Sequence, residues 1–159
     1  VIVSGDSAGG NISTAVSLMA KDSKEFQVRA QLLYYPITDG SNMETGSYNA
    51  FAKNHFLTKE MMQYSANHYV KNSDDYYNPL MSPILSNDLS GMPKTLIQTA
   101  EFDVLRDEAE AFAEKLAAAE VDVECVRYNG MIHAYIGLAG KIELAKTAID
   151  DSAEFLKNL

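Results

Sequence analysis

The feature that most constrains this chain is Gly5-Asp6-Ser7-Ala8-Gly9, a G-x-S-x-G turn between the apolar run Val1-Ile2-Val3 and a helical pattern over residues 11–21. Ile12, Ala15, Val16 and Met19 recur there at helical spacing, which predicts that they form the packed face. A strand that passes so directly into a helix leaves little room beside the turn, and Gly5 and Gly9 are expected to meet that demand. The turn then pushes Ser7 out at the carboxyl edge of a sheet in a strained backbone position. The Ala8 amide follows at the helix N-terminus.

The rest of the chain repeats the strand-then-helix order. Residues 28–35 read as a second strand, stopped by Pro36 and the turn-like Thr38-Asp39-Gly40. Residues 41–54 are polar and weakly patterned. Thr58 is the expected N-cap of a helix over 59–70, with Met62, Ala66 and Tyr69 on one side. Residues 72–93 hold three of the four prolines and read as an irregular surface connection.

A third buried strand is predicted over 95–100, followed by a helix whose start is crowded with Asp107, Glu108 and Glu110. Its apolar stripe is Leu105, Ala109, Phe112 and Leu116. The fourth strand, 121–128, turns Val121, Val123 and Cys125 to one face, so Cys125 is expected to be a small buried hydrophobe. A closing helix over 141–159 runs through Ile142, Ala145, Ile149 and Leu156. This alternation predicts an α/β fold: a parallel sheet of about four strands flanked by helices, in one domain over 1–159. Residues 41–93 are read as an insertion within it.

The chain opens on Val1-Ile2-Val3, as if in mid-strand, and the expectation is that an N-terminal half is absent. Those residues would lie in the middle of the complete sheet, and the edge so exposed is expected to pair with a second copy, giving a homodimer. Any signal peptide would lie upstream, so a cytoplasmic location is only a default expectation.

Charge and composition exclude several classes. A formal charge of −9 and a pI near 4.7 would repel a phosphate backbone, so no nucleic-acid partner is expected. No apolar run reaches about 18 residues, so no membrane span is expected. One cysteine rules out an internal disulfide framework, and three scattered histidines do not make a metal site. The glycines are followed by no Lys-Ser/Thr pair, and no G-x-G-x-x-G is present, so the turn does not read as a phosphate cradle.

A serine presented in this way becomes a nucleophile only with a base to take its proton and a carboxylate to hold that base. On a fold of this kind both follow later strands, in the order Ser, acid, His. Glu101-Phe102-Asp103 follows the third strand and His133 follows the fourth. Asp103 is the expected acid. Glu101 stands too close to the strand end, and Asp107 is more simply a helix-start residue beside the dipole. His133 is the expected base, because His55 and His68 fall in the insertion. Ala8 is the expected oxyanion donor.

Taken together, these segments resemble the bacterial hormone-sensitive-lipase-like esterases, an α/β-hydrolase family. The resemblance rests on Gly5-Asp6-Ser7-Ala8-Gly9-Gly10-Asn11, on Asn78-Pro79-Leu80-Met81-Ser82-Pro83, on Glu101-Phe102-Asp103-Val104-Leu105-Arg106-Asp107-Glu108, and on Gly130-Met131-Ile132-His133-Ala134-Tyr135. It implies the C-terminal half of an α/β-hydrolase fold with part of a cap. It also implies hydrolysis of short-chain carboxylic esters, with no cofactor and with Ser7, Asp103 and His133 as the triad. Three departures stand out. Val104 replaces the family's usual proline, Glu120 replaces an expected glycine, and the His-Gly-Gly-Gly oxyanion segment, upstream in the family, is not matched.

Two other readings share the fold. A peptidase of the prolyl-oligopeptidase type has the same triad order, but Asp6, Ala8 and the Leu105-Arg106-Asp107-Glu108 run fit it poorly. Non-catalytic receptors derived from the family lose the histidine, which is retained here as His133.

Overall fold

The computed structural model describes every residue of the chain except Glu25. Its four strands, β1 (Ile2–Asp6), β2 (Ala30–Tyr34), β3 (Lys94–Phe102) and β4 (Val123–Ile132), form one sheet in the order β1-β2-β3-β4. All three pairings are parallel, as the alternation of strand and helix requires. The long helices are α1 (Ala8–Ser23), α3 (Lys59–Tyr69), α4 (Arg106–Ala118) and α5 (Glu143–Lys157), with a short α2 at Gly46–Ala50. No helix among the described residues is long and apolar enough to cross a membrane.

Helices cover both faces of the sheet. On one face Leu18 of α1 joins Leu33, Ile97 and the α4 stripe Ala109, Phe112 and Leu116. On the other, Phe155 of α5 packs with Ala30, Leu32 and Leu96. Adjacent residues of β2 and β3 therefore enter different cores, which is why these strands read as continuous apolar runs. The predicted α4 stripe is fully buried from Leu105 to Leu116. Thr58 caps α3 as expected, its side chain accepting the Met61 N–H.

Two helices turn a different face inward from the one their apolar residues predict. In α1, Ile12 and Met19 are each 56% exposed, whereas Ser13, Thr14 and Ser17 are buried. The hydroxyls of Thr14 and Ser17 donate to the carbonyls of Gly10 and Ser13, so burial leaves neither without a partner. In α5, Ile149 and Leu156 are exposed, and the buried residues are Ala145, Ala148, Ser152 and Phe155. Small side chains there bring the helix close enough for the Gln98 amide on β3 to reach the Ala148 carbonyl and the Ser152 hydroxyl. Polar pairing with Gln98 on the sheet selects the α5 face, and in α1 the buried face carries small side chains whose hydroxyls bond within the helix.

Cys125 is also not the buried hydrophobe expected of it. It is exposed, because β4 is an edge strand and α4 covers that face only in part. The 41–54 stretch contains α2, with Thr45 as its cap. The 72–93 connection carries two 3₁₀ turns, Ser73–Tyr77 and Pro83–Leu85. At the end of α4, Glu120 takes a left-handed φ of 61°, the position at which glycine is unstrained.

The junction of β1 and α1 is tighter on one side than on the other. A Cβ on Gly5 would lie 2.2 Å from the Gly9 carbonyl oxygen, a clash that only backbone movement could relieve. A Cβ on Gly9 would meet nothing closer than the Asp6 carboxylate at 3.8 Å, an ordinary contact. The turn therefore requires glycine at position 5 and not, for steric reasons, at position 9.

Gly5→Ala is expected to cost about 3 kcal/mol in urea denaturation, through overpacking against the start of α1. Gly9→Ala, inside a helix, should stay within about 1 kcal/mol of the parent. The inverted face of α1 gives a second contrast in the same assay. Phe112→Ala should cost about 4 kcal/mol, and Met19→Ala under about 0.5 kcal/mol despite its place in the apolar stripe.

Candidate functional site

Ser7 sits between β1 and α1 with φ 54° and ψ −119°, outside the regions that residues with a side chain favour. Such a conformation costs of order 1–3 kcal/mol and persists only where its surroundings over-determine it. Here the Ser7 N–H donates to the Tyr34 carbonyl at 2.9 Å. Its own carbonyl accepts from Asn11 at 3.2 Å and from Ile37 at 3.3 Å. Both neighbouring segments thus pin the serine backbone, and its hydroxyl is left to face the other strand ends.

The loops that carry Asp103 and His133 are placed by an extension of β3 and β4 beyond their predicted ends. The ladder runs to Ala100↔Tyr128, breaks register, and resumes at Phe102↔Ile132. Against the single Glu101, β4 sets residues 129–131. Gly130 makes this possible with φ 83°, and its N–H donates to the Glu101 carboxylate at 2.6 Å. Glu101 is thereby committed to the bulge. The residues after the resumed pair are Asp103 and His133, which the register sets side by side.

Their geometry is continuous with Ser7. His133 Nδ1 lies 2.7 Å from Asp103 Oδ2, and His133 Nε2 lies 3.0 Å from Ser7 Oγ. An ionised carboxylate only accepts, so the Nδ1 proton points at Asp103 and Nε2 is free to accept from the Ser7 hydroxyl. Asp103 is 1% exposed and His133 6%. The second Asp103 oxygen accepts the Leu105 N–H at 3.0 Å, which fixes the carboxylate plane. Ala8 occupies the first position of α1, where backbone N–H groups have no intrahelical partner.

The remaining sequence candidates fall elsewhere. Asp107 accepts the Ser47 N–H at 2.7 Å and pairs with Arg106, so it holds α2 against α4. His55 is half-buried, bonded to the Lys53 carbonyl and packed beside Phe51 and Phe102. His68 is exposed on α3 against Tyr64. Among the described residues no group of His, Cys, Asp and Glu could hold a metal ion.

Three supporting residues were not singled out by the sequence. Tyr35 is buried with a left-handed φ of 37°, and its ring lies 4.7 Å from the His133 imidazole. Behind it Tyr135 packs at 5.3 Å and Tyr128 beyond that, forming an aromatic wall. Burial, the largest cause, raises all three phenols and keeps them protonated. The only hint was an aromatic placed between a buried strand and Pro36. Asn11, buried at the start of α1, donates to the carbonyls of Ile37 and Met81, each at 2.9 Å. It ties the Asn78–Pro83 motif to the serine turn.

Glu108 is the third. Its Oε1 accepts the N–H groups of Thr38 at 2.7 Å and Asp39 at 3.1 Å. Burial lifts its carboxyl well above the usual range, although those two N–H groups favour the ionised form. Asp107 and Glu108 look alike in sequence at a helix start, and only their burial separates their roles.

Comparison with known proteins agrees with this architecture. A family model described as the alpha/beta hydrolase fold matches residues 1–137. The chain is 38% identical over 134 residues to an arylesterase of Saccharolobus solfataricus, covering 84% of this chain and 43% of that protein. A thermostable esterase from Pseudomonas putida superposes with a TM-score of 0.89 at 44% identity, over 92% of this chain and 47% of the other. For the hyperthermophilic esterase of Pyrobaculum calidifontis the TM-score is 0.94 at 35% identity, over 99% and 52%. The chain thus spans about half the length of the relatives it matches. With a parallel sheet and motifs at its carboxyl edge in the family's order, the chain belongs to the α/β-hydrolase fold family, in its hormone-sensitive-lipase-like branch.

Proposed function

We propose that the protein containing this chain hydrolyses carboxylic esters of short acyl groups through a covalent acyl-enzyme, with Ser7 as nucleophile. The observation that carries this reading is the unbroken chain from Ser7 Oγ to His133 at 3.0 Å and from His133 to the buried Asp103 at 2.7 Å. The esterase names of the relatives support the substrate class.

In the first half-reaction Ser7 Oγ bonds to the ester carbonyl carbon as His133 Nε2 takes its proton. Negative charge on the carbonyl oxygen is met by the Ala8 N–H at the start of α1, where the helix dipole adds to the hydrogen bond. The C–O bond to the alcohol then breaks, and the imidazolium returns the proton to the leaving oxygen. Asp103 holds the ring orientation and stabilises its positive charge. Water repeats the sequence on the acyl-enzyme and releases the acid. None of these steps needs a cofactor.

Ala8 is one oxyanion donor, and each missing donor costs about 10²–10³ in turnover. The 159 residues alone are therefore expected to be nearly inactive, and the whole protein is the material for the test. p-Nitrophenyl butyrate hydrolysis should fall by at least about 10⁴-fold in Ser7→Ala, and by about 10⁴-fold in Asp103→Asn with the fold intact. Retained turnover in the Ser7→Ala protein would sink the assignment.

A further inference from the structure

Tyr35 follows the last residue of β2 with a left-handed φ of 37°, a conformation that glycine adopts freely and an aromatic residue does not. Side chains alternate between the faces of a sheet, so an extended backbone would turn Tyr35 away from the face taken by Tyr34, whose hydroxyl donates to Ser152 on α5 at 3.0 Å. The left-handed turn cancels that alternation. Both tyrosines join the cluster on the α5 face, where Tyr35 packs with Ala100, Ala145 and Ala148 and its ring comes to 4.7 Å from the His133 imidazole. Strain of this kind persists only where the surroundings hold it, and what it delivers here is one aromatic ring against one imidazole. Resting on the ester-hydrolase reading above, we propose that Tyr35 is a positioning residue for the reaction, whose ring holds the His133 imidazole in the tilt that lets it bond Asp103 and Ser7 at once.

The need for such a surface follows from how His133 is held. Its two hydrogen bonds, at Nδ1 and Nε2, fix the ring along the line that joins them and do not stop it tilting about that line. During turnover one of them is lost. Once Ser7 Oγ has bonded to the carbonyl carbon, Nε2 must hold its proton towards the leaving oxygen, and only the Asp103 bond remains. Packing against the ring is the restraint that persists through both half-reactions.

Tyr35 is built to supply it. The residue is 2% exposed, so it offers substrate no surface and acts only through His133. Its N–H donates to the Gln98 carbonyl at 2.6 Å, and its phenol oxygen faces the Ile136 N–H in the loop after His133. Burial first, and the charges of Asp6 and Asp103 after it, keep the phenol protonated, so no second anion competes with Asp103 for the imidazole. Behind the ring Tyr135 packs at 5.3 Å, and Tyr128 packs on Tyr135 at 5.3 Å. Tyr128 donates to Asp151 on α5 at 2.6 Å, which anchors the far end of the wall. The histidine loop meets it with strain of its own, at Ala134 with φ 65°.

The test reads the whole protein in two ways: kcat and KM for p-nitrophenyl butyrate, and the far-downfield proton NMR signal of the His133 Nδ1–H bonded to Asp103, recorded without substrate. Tyr35→Met keeps the space apolar but removes the rigid ring. Its kcat should fall about 100-fold with KM unchanged, and the signal should broaden or vanish. Tyr35→Phe keeps the ring and loses only the phenol oxygen, so it should retain the signal and a kcat within about threefold of the parent. Tyr135→Leu withdraws the support behind Tyr35. It should lower kcat about tenfold with the same broadening, and it keeps the test open if Tyr35→Met fails to fold. A folded Tyr35→Met or Tyr135→Leu protein with the parent's signal would overturn the positioning role, whatever its turnover. A parent that hydrolyses none of this ester defeats the ester-hydrolase reading instead, and the signal still decides what Tyr35 does to His133.

Discussion

The pairing of Phe102 with Ile132 governs the geometry at the carboxyl edge of the sheet. It forms after a break in the β3–β4 ladder, and it places the next residue of each strand, Asp103 and His133, within 2.7 Å of one another. Without the left-handed Gly130 the three residues of β4 could not fold against one of β3, and the two side chains would not share this level. Glu101 closes the break by accepting the Gly130 N–H. A carboxylate that looks like a rival to Asp103 in the sequence is thus what sets Asp103 in position.

Around this edge the fold meets strain at Ser7 with several independent restraints. Gly5 lets the start of α1 come down on β1, the Tyr34 carbonyl takes the serine N–H, and Ile37 and Asn11 hold its carbonyl. Glu108 secures the same stretch by its bonds to Thr38 and Asp39. A strained backbone needs such redundancy, since one hydrogen bond contributes only about 1 kcal/mol net. A cavity beside Ala8 is built from the same pinned segments, so the position of the Ser7 hydroxyl and the shape of the adjoining space are coupled.

Much of this was legible in the residues. The β1–α1 turn, the α4 stripe, the Thr58 cap, the parallel order and the family all follow from local pattern, where a single strong preference decides. The failures have separate physical causes. In α5 the packed face is chosen by alanine, serine and the Gln98 amide, in α1 the buried serine and threonine hydroxyls bond within the helix, and hydrophobic periodicity is blind to both. Cys125 followed the alternation rule, but an edge strand under a partial helix leaves such a residue in solvent. Gly9 was given a steric role that belongs to Gly5 and, against Pro36, to Gly10. Tyr35 and Asn11 act through contacts that span 98 and 70 residues of sequence, to His133 and Met81, and local pattern does not encode them.

The central claim is that Ser7 is activated by His133. It is tested most directly by treating the whole protein with a fluorophosphonate and mapping the adduct by peptide mass analysis. Modification is expected at Ser7, abolished in Ser7→Ala and slowed by orders of magnitude in His133→Ala. Labelling at another residue, or labelling of Ser7 at the same rate without the imidazole, would contradict it.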